Sequence, residues 1–118
     1  MRRILLWTSA ALALWTAACT PFYGQACTAD YRYGLSISVV DDAGDPVCAT
    51  VTIVDGAYEE VSEEFECGTY VGAGERAGTY DITVEAEGYA TQTIDGIVVD
   101  NDECHVIGES VDVVLAAE

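Results

Sequence analysis

Hydrophobic and polar residues alternate along most of this chain from Gly34 onward. In GLSISVV, Leu35, Ile37 and Val39 share one face, with Ser36 and Ser38 on the other. In CATVTIV, Ala49, Val51 and Ile53 alternate with Cys48, Thr50 and Thr52. In TYDITVEAE, Tyr80, Ile82, Val84 and Ala86 alternate with Asp81, Thr83, Glu85 and Glu87. In SVDVVL, Val111, Val113 and Leu115 alternate with Asp112 and Val114. A period of two with many β-branched residues predicts strands that bury one face and wet the other. No helical period appears after residue 18.

The breaks between these runs carry turn chemistry. Asp41-Asp42-Ala43-Gly44-Asp45-Pro46 reads as a hairpin loop, with Gly44 for a positive φ and Pro46 stopping further pairing. Glu87-Gly88-Tyr89 and Ile94-Asp95-Gly96-Ile97 read as further reversals, and Asp100-Asn101-Asp102-Glu103 as a polar loop. Strands at these intervals predict an all-β fold, a small antiparallel β-sandwich of about seven strands.

The first 18 residues follow a different rule. Arg2 and Arg3 precede an uncharged run from Ile4 to Ala18 that ends in small residues, the pattern of a secretory signal peptide. The run is short of the roughly 20 apolar residues a membrane-spanning helix needs, and polar residues soon follow. Thr16-Ala17-Ala18-Cys19 resembles the bacterial lipobox, whose cysteine is acylated and becomes the first mature residue. The alternative is ordinary cleavage near Ala18, leaving Cys19 as a thiol. On the first reading residues 1–18 are a signal peptide, 19–33 a lipidated tether and 34–118 the folded domain. Thr20 after Cys19 would imply the outer membrane if the host is Gram-negative.

Lipidation of Cys19 also resolves the odd count of five cysteines. Cys27, Cys48, Cys67 and Cys104 remain, an even set suited to two disulfides in an oxidising compartment. Their wide spacing contains no C-x-x-C knuckle, which argues against a metal site, and it leaves all three pairings open. Charge removes another class of function. The full chain carries a formal charge of −17 with no lysine, and beyond the signal only Arg32 and Arg76 face 21 acidic residues. Such a surface repels nucleic acid and anionic headgroups, so membrane attachment must come from the lipid.

Three motifs in order carry a resemblance. Asp42-Ala43-Gly44-Asp45-Pro46, Gly78-Thr79-Tyr80 and Gly88-Tyr89 resemble, over about residues 34–115, the carboxypeptidase regulatory-like domain. That resemblance implies a transthyretin-like (Ig-like) sandwich serving as an accessory or structural module, with no catalytic residue carried over. In such a sandwich Cys48 is expected to meet Cys67, and Cys27 to meet Cys104.

The remaining residues offer few sites. The lone His105 has no partner for a metal triad, and nothing in the sequence ties Ser62 or Ser110 to it as a nucleophile. Asp41, Asp42 and Asp45, and separately Asp100, Asn101, Asp102 and Glu103, offer hard oxygen ligands for calcium. They lack the EF-hand spacing, and Asp and Asn also suit turns on backbone grounds. The acidic run EEVSEEFE reads as a charged edge strand that blocks aggregation, or as a partner-binding edge. Arg76 in GAGERAG is expected to order its Gly-rich loop through an ion pair. These readings predict a non-enzymatic, lipid-anchored envelope protein displaying a structural or binding module, without a cofactor. Its expected partners are the membrane and an envelope protein or glycan. The alternative is a calcium- or glycan-binding lipoprotein that uses its acidic end loops.

Overall fold

A computed structural model describes residues 27–118. The expected signal peptide, Cys19 and most of the expected tether lie outside the described residues. The strands are β1 (Tyr33–Asp41), β2 (Thr50–Asp55), β3 (Tyr58–Val61), β4 (Glu63–Glu66), β5 (Thr69–Gly74), β6 (Gly78–Glu85), β7 (Gln92–Val99) and β8 (Glu109–Leu115). They form two four-stranded sheets, ordered β4-β5-β1-β8 and β3-β2-β6-β7.

The expected sandwich is therefore present, with eight strands and two disulfides, Cys27–Cys104 and Cys48–Cys67. The chain changes sheets after β1, β3, β5 and β7, so hairpins alternate with crossings between layers. One pairing departs from the antiparallel pattern: β8 runs parallel to β1, with Ile37 opposite Val111 and Val39 opposite Val113. Parallel neighbours need a long crossover, and here the whole chain between them supplies it.

The inward rows match the alternation. Leu35, Ile37 and Val39 of β1, Val51 and Ile53 of β2, Tyr80, Ile82 and Val84 of β6, and Val113 and Leu115 of β8 are at most 2% exposed. Burying each such side chain stabilises the fold by about 1.5–3 kcal/mol relative to exposure. A one-residue slip would turn these rows to solvent, so the pattern also sets the register.

One turn expectation needs correction. Residues 94–97 do not reverse the chain; they belong to β7, which pairs with β6 throughout. Tyr80 faces Ile97 while Ile82 faces Ile94, so an extra residue bulges out there, and Gly96 at φ 74 accommodates it. The loop after β1 closes as a local hairpin, with Asp41 N donating to Asp45 O at 2.9 Å and Val40 bridged to Pro46. The strand that follows nonetheless joins the opposite sheet. Pro46 packs against Gly68 so closely that a Cβ on Gly68 would collide with it, and Gly68 also sits at φ 95.

Candidate functional site

The end of the sandwich where the chain enters is a clamp built from three loops. Cys27 is disulfide-bonded to Cys104, in the loop between β7 and β8. The next residue, Thr28, meets His105 Nε2 through its Oγ1 at 3.0 Å. His105 Nδ1 meets Glu75 Oε2 at 2.8 Å, and the same oxygen accepts the backbone N–H of Arg32 at 3.0 Å. Glu75 N donates to Arg32 O at 2.8 Å, so residues 27–32 are held from both sides before β1 begins. The hydrogen bond with His105 holds the Glu75 carboxyl below the usual carboxylate range. The histidine thus has both ring nitrogens occupied by structural partners.

The loop carrying Cys104 is shaped by its own acidic residues. Asp102 Oδ1 accepts the backbone N–H groups of Cys104 at 2.8 Å and His105 at 2.9 Å. These bonds hold the Asp102 carboxyl below its ordinary range. Asn101 bridges Val106, and Ile107 N donates to Asp100 O at 2.7 Å. Asp100, Asn101 and Glu103 are exposed. The other acidic loop works in the same way. Asp41 Oδ1 accepts the N–H groups of Ala43 at 2.9 Å and Asp45 at 3.0 Å, while Asp42 and Asp45 are exposed. Among the described residues no group of three or more His, Cys, Asp or Glu side chains converges as a metal site. The capping oxygens of Asp41 and Asp102 serve the backbone, as Asp side chains do in turns.

A second node lies between the sheets at the open edge. Arg76 Nη1 donates to Asp55 Oδ2 at 3.0 Å and to the Tyr80 hydroxyl at 3.0 Å, and its guanidinium lies 3.8 Å from the Tyr58 ring centroid. Tyr80 in turn donates to Arg76 O at 2.7 Å. The expected ion pair exists and ties the β5–β6 loop to β2. Glu60 Oε1 accepts from Tyr58 Oη at 2.8 Å and from Ala73 N at 2.9 Å. That carboxylate pushes the Tyr58 hydroxyl pKa up. Sequence reading missed Glu60, because its run signals only an acidic edge and nothing marks Ala73 as taking φ 53.

The remaining residues stand apart from one another. Cys48, ahead of β2, and Cys67, in the β4–β5 turn, join the two sheets. Beside them the buried Tyr70 hydroxyl accepts from Ala49 N at 2.7 Å and donates to Val47 O at 3.2 Å. Ser62 sits where β3 crosses to β4, its N–H donating to Val51 O at 2.9 Å and its buried Oγ without a partner. Ser110 is exposed on β8. Neither serine is hydrogen-bonded to His105, whose partners are Thr28 and Glu75. The best-formed hollows among the described residues hold about 120, 210 and 250 Å³. Typical small-molecule pockets are larger, roughly 300–1,000 Å³.

The run EEVSEEFE supplies both outer strands on one side of the sandwich, β3 to one sheet and β4 to the other. β4 carries a register shift between Glu64 and Glu66, which leaves Phe65 as the bulged residue. Against known proteins, the chain matches no family model and no curated sequence.

Proposed function

We propose that this protein is a non-enzymatic envelope lipoprotein, anchored through Cys19, that displays a carboxypeptidase regulatory-like β-sandwich as a structural or binding module. The clamp around Cys27 is the observation that supports this reading most. A domain suspended from a membrane must take its tether at a fixed point. Here the last part of the tether, from Cys27 on, is held by the Cys27–Cys104 disulfide and by the Thr28–His105–Glu75 hydrogen bonds. Eight residues beyond Cys19, Cys27 can stand at most about 30 Å from the lipid, so this end of the sandwich faces the membrane. The other elements agree with a module that binds or spaces: His105 is engaged structurally, and the hollows are small.

The intact mass of the mature protein from an envelope fraction tests the anchor. The expected product begins at Cys19 and carries acyl chains, and Cys19→Ala releases the protein from the membrane. A chain that starts elsewhere, or an unmodified Cys19, overturns the assignment.

A further inference from the structure

The open edge of the sandwich combines two features that a purely protective edge would not combine. An edge that only prevents aggregation needs charge and few large apolar groups. Here Val61 and Phe65 are 62% and 66% exposed, and Tyr31 is 64% exposed. The aromatic side chains are arranged in a row. The Phe65 ring meets Tyr33 edge-on at 6.4 Å between centroids, and Tyr33 meets Tyr31 edge-on at 5.3 Å. The β4 bulge turns Phe65 outward, as bulges at sheet edges commonly do to re-aim a side chain. Tyr33 is fixed in the middle by donating its hydroxyl to Glu63 Oε2 at 2.7 Å.

We infer that this row, Phe65–Tyr33–Tyr31 with Glu63 and Glu66 beside it, is the docking surface for a basic, arginine- or lysine-bearing segment of a partner protein. Charge selects the occupant. Glu63 and Glu66 are exposed on the outer face of the sheet, the face that carries the rings, opposite Val71 and Thr69, and the one cation close by in sequence, Arg32, is engaged with Asp30 at 3.1 Å. A second copy of this chain would bring another −17 formal charge to the same face, which repels it. A cationic side chain gains from the ring faces and the carboxylates together, because the rings attract it through their quadrupole. Exposed aromatics at the centre of such a patch are the residue type that carries most binding energy in protein interfaces. The molecule already uses this chemistry internally, where Arg76 lies over Tyr58. The inference rests on the module's being a binding domain and needs no lipid anchor, so it can fail while the mass test of Cys19 succeeds.

The test titrates the full-length protein with a short peptide alternating Arg with Gly and Ser, at low and high salt. Binding is expected, weaker at high salt, with chemical-shift changes concentrated on residues 63–66 and 31–33. The Phe65→Ala/Tyr31→Ala pair is expected to weaken it about tenfold. Glu66→Gln should weaken it clearly more than Asp42→Asn, which removes the same charge from another loop. No binding, equal losses from the two charge-neutralised variants, or indifference to loss of the rings overturns the proposal. So does an oligosaccharide that shifts the same residues while the peptide does not. Should a variant fail to fold, the shift map of the unaltered protein decides alone.

Discussion

The carboxylate of Glu60, on β3 at the edge of one sheet, accepts the backbone N–H of Ala73, on β5 in the other, at 2.9 Å. Ala73 is fully buried and takes φ 53, which turns its N–H away from the strand ladder. A buried donor without a partner costs about 1–3 kcal/mol. Glu60→Ala should therefore lower unfolding stability by about that amount, and Glu60→Gln, which keeps an acceptor, should recover most of it. Urea denaturation with the disulfides intact measures both, and equal losses in the two variants would refute the role.

Tyr70 makes a related prediction inside the core. Its hydroxyl is the partner of Ala49 N and Val47 O, next to the Cys48–Cys67 bridge. Tyr70→Phe keeps the ring and orphans those groups, for an expected loss of about 1–3 kcal/mol. A thermal midpoint within error of the unaltered protein would show that water replaces the hydroxyl.

The disulfides should contribute unequally. Cys27–Cys104 spans 77 residues and Cys48–Cys67 spans 19. If each acts mainly on the unfolded chain, the longer loop is worth about 4.5 kcal/mol and the shorter about 3 kcal/mol. Paired Cys→Ser variants compared by denaturation give the ranking. A smaller loss for the longer bridge would mean that native-state effects dominate.

Asp102 gives a pH dependence. Because the backbone N–H groups of His105 and Cys104 hold its folded-state pKa low, its contribution is present above the unfolded value, roughly 3.9. It is lost as pH falls through the lower folded value. The stability gap between the unaltered protein and Asp102→Ala should stay constant from neutrality to about pH 5 and close below about pH 4. A gap that widens on acidification would be incompatible with this cap.

The alternation of Leu35, Ile37 and Val39, and of Tyr80, Ile82 and Val84, was sufficient to predict strands and their buried faces, because a strand's side chains have a fixed period of two. Residues 94–97 were misread because Asp-Gly marks both a turn and a glycine bulge, and only the pairing of Tyr80 with Ile97 and Ile82 with Ile94 separates the two. β5 escaped notice because TYVGAG has small residues where alternation would be visible. Its inward positions are filled from the opposite sheet, where the Ile53 side chain packs against Gly72.

The four cysteines, the acidic surface and the one-face-wet strands could all be read from the order of residues, since each is a property of composition or local period. Which sheet each strand joins could not, nor could the parallel placement of β8 beside β1 or the meeting of Thr28, Glu75 and His105. Those depend on contacts between residues up to 77 positions apart, such as Cys27 with Cys104. Such contacts form only when the two sheets close over a shared core, and a local pattern does not encode them.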